Sequence, residues 1–308
     1  MRVTIKGLLQ AAAVLTVLFS VIAMIPAENA WLQLFTHFRL QYFAASIVFL
    51  AIFAALREPR YALALLFTSI LNGAMVAPWY LDDPVRHDGA EIKVLLANVL
   101  SSNSDHARLF DLLEAEQPDL VVLLEVSPQW ATSLARLNTT YPHRVVEPRE
   151  GSFGIAMFSR LPLTSAAAVS SGPLGFPTIV AAVGVSGRSV QVVATHPMIP
   201  LGASNYDARN EQLKGVARLL QRTPGPRMLI GDLNATMWDL NYGSLENKTW
   251  LRNVRHGFGV LPTWPTFMPL AMIPIDHVLV SDEIGVKDVR AGPRIGSDHL
   301  PLVVTITL

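Results

Sequence analysis

Three long, nearly uncharged apolar runs dominate the first 81 residues of the chain, at 7–25, 38–56 and 61–81. A membrane-spanning helix needs about 20 mainly apolar residues and tolerates about 17, so each run is long enough. The third run is interrupted by Asn72, Gly73 and Pro78. Trp and Tyr residues lie near the run ends, a position typical of the membrane–water interface. The pattern predicts about three transmembrane helices in a region covering residues 1–81.

Basic residues predict the orientation of these helices. Arg2 and Lys6 precede the first run, and Arg57 and Arg60 lie between the second and third. Because cytoplasmic loops carry an excess of Lys and Arg, these two segments are expected inside and everything after residue 81 outside the cytoplasm. The alternative is that the first run is a cleaved signal peptide. Residues 26–30 match a small-residue cleavage site poorly and two more runs follow, so we favour a retained span.

A short polar segment, 82–90, follows the last run and contains Pro84 and Gly89. Even fully extended, nine residues reach only about 30 Å. We therefore expect the remaining domain, 91–308, to stay close to the bilayer.

The pattern changes at residue 91, where short apolar runs begin to alternate with helical ones. This alternation is typical of α/β architecture. Strands are predicted at 92–97, 119–124, 153–158, 179–185, 189–194, 228–230, 275–280 and 302–308. Helices are predicted at 105–116, 128–137 and 207–222.

Polar residues follow several of these strands directly, as Asn98, Glu125, His196 and Asp232 do. Residues at strand ends are brought together by a sheet, and α/β proteins commonly build active sites in this way. The segment 228–235 is the most informative, because its apolar strand runs into Gly-Asp-Leu-Asn. Residues two apart on an extended backbone point the same way, so Asp232 and Asn234 would face one pocket. Taken alone, these four residues are more typical of a turn than of a catalytic site.

At this point the chain from about 91 to 308 resembles the endonuclease/exonuclease/phosphatase superfamily, which includes deoxyribonucleases, sphingomyelinases and inositol polyphosphate phosphatases. Each match is weak alone, but all occur in the order that the family has. The matches are Asn98 at a strand end, the Leu-Leu-Glu-Val around Glu125, the Ala-Thr-His ending at His196, the Gly-Asp-Leu-Asn of 231–234, the Ile-Asp-His around Asp276, and the Ser-Asp-His-Leu-Pro of 297–301.

The resemblance implies a four-layer α/β sandwich, with two packed mixed sheets between helices, and a Mg²⁺ ion. Mn²⁺ is the other ion that a hard, oxygen-rich site would favour. Glu125 would be a metal ligand, although a salt bridge to Arg would also explain a carboxylate after a buried strand. Asn98 would be a second ligand or would orient Glu125. Asp298 would contact the metal directly or through water.

The remaining matches imply catalytic roles. His299 would be a general base or would stabilise phosphate charge, paired with Asp276. Asp232 would align or deprotonate the attacking water, and the sequence leaves open whether Asp232 or His299 takes the proton. His196 and Asn234 would hold phosphoryl oxygens as negative charge develops. Arg209, near the start of a helix, could reach the substrate phosphate or could simply face solvent.

Composition and charge limit the choice of substrate. The chain has no Cys, which excludes disulfides, cysteine-based zinc sites and thiol nucleophiles. Residues 91–308 contain 18 Lys and Arg against 19 Asp and Glu, a net charge of −1. Nonspecific nucleic-acid binding depends on basic side chains, so this balance argues against a processive nuclease.

We therefore predict a membrane-anchored, Mg²⁺-dependent phosphoesterase that uses in-line attack by water. Its substrate would be a lipid head group, another envelope phosphodiester or a nucleotide-like ester, and no protein partner is indicated. The alternatives are an extracytoplasmic nuclease and a catalytically silent membrane scaffold that retains the fold. The uncharged loop 262–267, with Trp264 and Phe267, could stack on a base, touch lipid or pack internally.

Overall fold

A computed structural model describes residues 4–308. The three apolar runs form helices, and a short helix that the pattern did not predict lies between the first two. A proline starts each of the last two helices, where the missing N–H is not needed for a hydrogen bond. The helices of this N-terminal region are α1 (Ile5–Ile22), α2 (Ala30–Thr36), α3 (Arg39–Ala55), α4 (Pro59–Val76) and α5 (Pro78–Leu81).

One helix of this region is long and apolar enough by itself to cross a membrane. This is α1, with a mean hydropathy of 2.0 and 17% of its residues buried. Helices α2 and α3 meet the same criterion only together, with a bend of 56° between them. The third predicted span ends early, because the break before Pro78 divides it into α4 and α5. By length and composition, the described helices therefore support one span, or two if the bent pair is counted, where the sequence pattern predicted about three.

Two six-stranded mixed sheets form the centre of the described chain after residue 90. The first, sheet A, has the strand order β11-β12-β1-β2-β4-β3, and the second, sheet B, has the order β5-β6-β7-β8-β10-β9. The strands are β1 (Glu91–Asn98), β2 (Leu120–Leu124), β3 (His143–Glu147), β4 (Ile155–Ser159), β5 (Leu163–Ser170), β6 (Pro177–Val185), β7 (Arg188–Thr195), β8 (Arg227–Asp232), β9 (Arg252–Asn253), β10 (Asp276–Val280), β11 (Gly285–Ala291) and β12 (Leu302–Thr307).

The sheets pack face to face over a large aliphatic core that includes Val94, Val122, Val192 and Ile230. Helices cover the outer faces. Helices α6 (Ala107–Glu116) and α7 (Pro128–Leu134) contribute to a second core on sheet A, and α8 (Ala203–Gln221) and α9 (Leu240–Thr249) contribute to a third on sheet B. The result is the four-layer α/β sandwich that was predicted, and that prediction is confirmed.

The N-terminal helices dock onto sheet B rather than standing apart from it. Val76 and Trp79 are buried in the same core as Leu229 and Leu233 of the β8 region. The carbonyl of Trp79 accepts hydrogen bonds from the backbone of Gly257 at 3.1 Å and Gly259 at 2.7 Å. The helical region and the sandwich therefore share one buried interface.

Segment 82–90 forms neither helix nor strand, but it runs along the sandwich. The amide of Val286 donates to the carbonyl of Val85 at 2.7 Å, and Ala90 pairs with Leu308. The division into a membrane region, a linker and a catalytic domain stays a prediction.

Candidate active site

The order of the strands brings the predicted polar residues to one place. In sheet A, β1 and β2 are parallel neighbours with Asn98 opposite Leu124, so Asn98 and Glu125 lie at the same edge. In sheet B, β8 and β10 are antiparallel with Asp232 directly opposite Asp276. His196 follows β7, the other neighbour of β8. These edges of the two sheets face each other across one cleft.

The backbone turns sharply where these strands end. Glu125 and Asn234 both have left-handed backbone angles, with φ of 61° and 48°. Such angles are uncommon for residues other than glycine and cluster at functional sites. Gly231 serves a different purpose, because a Cβ at this position would lie 1.9 Å from the carbonyl oxygen of Thr195. Strands β7 and β8 can approach closely before Asp232 only because residue 231 has no side chain.

Asn98 connects the two halves of the cleft. Its Nδ2 lies 3.1 Å from Oε1 of Glu125 and 3.4 Å from Oδ2 of Asp232. Its Oδ1 accepts from the amide of Leu100, and the other oxygen of Glu125 accepts from the amide of Ser101 at 3.2 Å. The Asn98 side chain therefore orients Glu125 and places it beside Asp232.

His299 and Asp276 form a buried pair. Nδ1 of His299 lies 2.8 Å from Oδ2 of Asp276, and Nε2 lies 3.7 Å from Oδ2 of Asp232. Burial alone would lower the pKa of His299, but the charge and hydrogen bond of Asp276, together with Asp232, raise that pKa to about 9. In this environment the imidazole is protonated at neutral pH, with Nε2 available to the cleft.

Asp232 has a second imidazole beside it. Nε2 of His196 lies 3.5 Å from Oδ2 of Asp232, and the amide of Asn234 donates to Oδ1 at 2.9 Å. Burial disfavours charge on Asp232 and on His196, but their mutual attraction outweighs it. The pKa of Asp232 is held below its usual range, and the pKa of His196 is raised. Asp232 is thus an ionised carboxylate at the centre of the cleft.

A cavity of about 230 Å³ opens over these side chains. Its walls carry an excess of negative charge, since three carboxylates face two histidines. Within the described range 4–308, none of the lining residues is Lys or Arg. The lining residues are Glu125, Ser152, Phe153, His196, Ile199, Asp232, Asn234, Trp264, Ile275, Asp298 and His299.

The donor atoms of this cavity fit a hard divalent cation. Oδ2 of Asp298 accepts from the indole of Trp264 at 2.9 Å, but its buried Oδ1 has no hydrogen-bond partner. Together, Asp298 and Glu125 offer the carboxylate oxygens that Mg²⁺ and Mn²⁺ prefer, while Asn98 orients Glu125. An unpartnered buried carboxylate oxygen is costly unless a cation or water satisfies it.

A second group, Asp232, Asp276 and His299, also has ligand atoms within 4.8 Å of one another. Nδ1 of His299 and Oδ2 of Asp276 are already joined to each other by a hydrogen bond. This group is therefore better suited to proton transfer than to metal binding.

Three predicted site residues are not among the described residues that line the cavity. Asn98 and Asp276 lie behind the wall, bonded to the lining residues Glu125 and His299. The third, Arg209, has no such role. Its guanidinium is fully buried, pairs with Asp239 at 2.9 Å and donates to the carbonyl of Asn234 at 3.2 Å. It braces the segment that follows Asp232 instead of facing the cavity.

Sequence reasoning missed part of the cavity wall. Phe153 lines the cavity, stacks on Phe176 with ring centroids 3.6 Å apart and lies 5.8 Å from the ring of His196. The predicted strand 153–158 includes Phe153, but the strand begins at Ile155. The contact of Phe153 with Phe176 joins two segments that are far apart in the sequence. No sequence pattern marks such a contact.

The sandwich resembles several solved structures. It matches TDP2 from D. rerio complexed with a single-strand DNA product at a TM-score of 0.61 and 18% identity, covering 71% of this chain and 100% of that one. It matches the human nocturnin catalytic domain with bound sulfate at a TM-score of 0.59 and 19% identity, covering 75% and 98%. Sphingomyelinase C from Streptomyces griseocarneus matches at 0.54 and 18%, covering 70% and 99%.

At these identities the structural matches establish the fold alone. No curated protein matches the chain. The model of the endonuclease/exonuclease/phosphatase family does match, over residues 95–299, which is more than half of the chain and includes every cavity-lining residue. The fold, the order of the motifs and this match agree: the chain belongs to the endonuclease/exonuclease/phosphatase family.

Proposed function

We propose that this protein is a membrane-anchored, Mg²⁺-dependent hydrolase of phosphoric esters. Enzymes of its family hydrolyse phosphoester bonds with divalent metal ions. The observation that carries the proposal is the charge of the cavity. An anionic phosphate would be repelled by Glu125, Asp232 and Asp298 unless a cation lay between them. No Lys or Arg of the described residues 4–308 lines this cavity to take that role.

In this proposal Glu125 and Asp298 hold the cation, and Asn98 orients Glu125. When bound, it would neutralise the phosphate and polarise its oxygens. Asp232 is ionised, and its Oδ1 accepts one hydrogen bond, from the amide of Asn234. It can therefore align the attacking water and accept its proton. His299, protonated through Asp276, and His196 can donate hydrogen bonds to the phosphoryl oxygens as negative charge develops. Asn234 completes this side of the cavity.

We assign Arg209 a supporting role instead of direct phosphate binding. It holds the carbonyl of Asn234 in place while Asp239 neutralises it. The scissile phosphate would therefore meet imidazoles and the cation, with no guanidinium contact.

The proposed anchor consists of α1, α3 and α4. These helices expose large apolar side chains around their outer surface, among them Leu15, Leu18, Leu63, Phe67 and Ile70. Water would be a poor solvent for such a surface, and hydrocarbon a good one. The distribution of Lys and Arg favours an extracytoplasmic sandwich. A cleaved signal sequence remains the alternative for α1, because it passes the same hydropathy test.

The proposed substrate is a lipid head group or another phosphoester at the outer membrane surface. The anchor keeps the cavity near the bilayer, and the net charge of −1 in residues 91–308 gives little attraction to nucleic acid. An extracytoplasmic nuclease is the second candidate, since TDP2 shares the fold and was solved with a DNA product. Turnover of DNA and of no phospholipid by the full chain would favour the second candidate.

Glu125→Gln tests the proposal most directly. In detergent-solubilised protein with Mg²⁺ and bis(p-nitrophenyl) phosphate, we expect turnover to fall at least about 100-fold and Mg²⁺ affinity to fall with it, because one anionic ligand is lost. EDTA should abolish wild-type turnover, and Mg²⁺ should restore it. Glu114→Gln, at an exposed position on α6, is the matched control and should change neither quantity. Wild-type activity and Mg²⁺ binding in Glu125→Gln would contradict the proposed site.

A further inference from the structure

An uncharged loop beside the cavity exposes large apolar side chains. From Gly257 to Ile275 the chain contains no Asp, Glu, Lys, Arg or His. Within this stretch Phe267 is 69% exposed, Met268 52% and Leu270 91%. We call these three residues the apolar tip. A cluster of exposed apolar side chains without a charge among them is unusual for a surface that faces water, and it marks an interaction site.

The apolar tip is attached directly to the cavity wall. Trp264, three residues before Phe267, lines the cavity and donates to Asp298. The amide of Thr266 donates to the carbonyl of Asp298 at 2.8 Å, and its hydroxyl donates to the carbonyl of Ser297 at 3.1 Å. These bonds fix the base of the loop to the segment that carries His299. The loop that carries the tip is therefore fixed at its base to the cavity wall.

The same loop touches the proposed membrane anchor. Nε2 of Gln41 donates to the carbonyl of Met272 at 2.7 Å. Gln41 lies in the first turn of α3, at the end of the apolar helices that faces the sandwich. Leu270 precedes Met272 by two residues, so no more than about 7 Å of backbone separates the tip from this contact with α3.

A second contact fixes the other side of the cavity at this level. Nδ1 of His37 lies 3.0 Å from Oγ1 of Thr236, two residues after Asn234 of the cavity wall. His37 and Gln41 are four residues apart where α2 meets α3. The two sides of the cavity are thus held at the ends of the apolar helices. Trp31 on the neighbouring α2 is 64% exposed, in a position that suits the membrane–water interface.

We propose that the apolar tip is seated in the head-group region of the bilayer that holds the anchor, so that a lipid phosphoester enters the cavity directly from the membrane. The acyl chains would remain in the bilayer while the phosphate reaches Asp232 and His299. The absence of charge from the tip makes its transfer out of water inexpensive. This inference rests on the proposed function for its substrate, but the position of the tip can be tested separately.

The first test measures position. The chain has no Cys, so Leu270→Cys provides a single labelling site in the full-length protein. Reconstituted in phosphatidylcholine nanodiscs, an environment-sensitive fluorophore at this site should shift to shorter wavelength and be quenched by doxyl-labelled lipid. The same label at Glu114→Cys, exposed on the helix layer of sheet A, should show neither change. Equal emission and equal quenching at the two sites would overturn the proposal.

The second test measures turnover with the triple variant Phe267→Ser, Met268→Ser and Leu270→Ser. These side chains do not line the cavity, so hydrolysis of soluble bis(p-nitrophenyl) phosphate should be unchanged. Hydrolysis of a fluorescent phospholipid in phosphatidylcholine vesicles should fall at least about tenfold, since the apolar contact area with lipid is lost. Equal loss on both substrates, or no loss on either, would contradict the role of the tip.

The two failures are distinguishable. If the wild-type protein hydrolyses neither the soluble diester nor the vesicle lipid with Mg²⁺, the proposed function fails. The label at Leu270→Cys still decides whether the tip enters the bilayer. If the soluble diester is hydrolysed but the label remains in water, the proposed function stands and the membrane seat of the tip is wrong.

Discussion

Asp232 occupies the point at which both sheets contribute to the site. It accepts from Asn98 of sheet A, it lies opposite Asp276 within sheet B, and two imidazoles approach the same oxygen. Burial would normally raise the pKa of such a carboxyl, and the two histidines reverse this. The residue thus stays ionised in a place where a lone carboxylate would take up a proton.

Asp276→Asn tests the residue pair that sets the state of His299. Loss of the Asp276 charge should lower the pKa of His299 from about 9 towards its ordinary value of 6.5. We expect kcat to fall by about 10²- to 10⁴-fold, because His299 then loses both its orientation and its proton at neutral pH. The measurement is kcat against pH for both proteins, with Asp111→Asn on α6 as the exposed control.

The same pair predicts how stability depends on pH in protein freed of metal by EDTA. The folded-state pKa of His299 is raised above its ordinary value, so its protonation stabilises the fold fully below pH 6.5, and this contribution is lost as the pH rises through about 9. Wild-type melting temperature should fall across this window, and the slope should be smaller in Asp276→Asn. Parallel melting curves for the two proteins would contradict the pairing.

The sequence predicts the position of a site residue correctly when that residue lies at the end of a strand. Four site residues end or directly follow a buried strand, namely Asn98, Glu125, His196 and Asp232. The sheets bring these strand ends together independently of the loop conformations. Arg209 lies on a helix, and its direction depends on how α8 packs, which no local pattern records. Its burial against Asp239 is a tertiary result.

At the scale of elements, the sequence predicts the helices and strands that have a strong apolar periodicity and misses those in which it is weak. The sequence does not predict strand β5, because most of its residues are small and they show no apolar–polar alternation. In the structure most of its side chains are exposed. Helix α9 went unpredicted because Gly243 and two Asn residues give it low helix propensity. It forms because Asp239 caps it, accepting from the amides of Asn241 and Tyr242, and because its buried face packs on sheet B.

Gly231→Ala tests the close approach of β7 to β8. A Cβ at residue 231 would lie 1.9 Å from a backbone oxygen of Thr195, so one strand must shift. We expect a loss of about 1–3 kcal/mol in unfolding free energy and a larger relative loss of activity, because Asp232 is the next residue. Denaturant titration and turnover of the soluble diester measure the two effects.

Gly243→Ala is the matched control. No atom lies within 4 Å of a Cβ at this helical position. The change should therefore stabilise the protein by roughly 0.5–1 kcal/mol, because alanine favours helix. If both glycine variants changed stability alike, close packing at Gly231 would not be the reason for glycine there.

At the scale of the whole molecule, the N-terminal helices share a core with the α/β sandwich. The sequence predicted apolar runs and a polar segment after them, which is the pattern of an anchor joined by a tether. It contained no signal that Trp79 would be buried among residues of sheet B, since burial between distant elements leaves no local pattern. This docking gives a structural role to several of the N-terminal helices, because α3, α5 and the junction between α2 and α3 each contact loops of the sandwich.

Trp79→Ala tests whether the two regions unfold together. Truncating a buried tryptophan typically costs about 3–5 kcal/mol, and here the cavity would open between the helices and the core beneath β8. If the regions are one cooperative unit, the unfolding midpoint of the sandwich in detergent should fall, followed by near-ultraviolet circular dichroism and by loss of turnover together. Leu81 lies two residues later and is exposed, so Leu81→Ala should leave the free energy of unfolding within about 0.5 kcal/mol of the wild-type value. An unchanged sandwich transition in Trp79→Ala would mean that the helices only tether the enzyme, and the contacts of His37 and Gln41 could not hold the cavity at the bilayer.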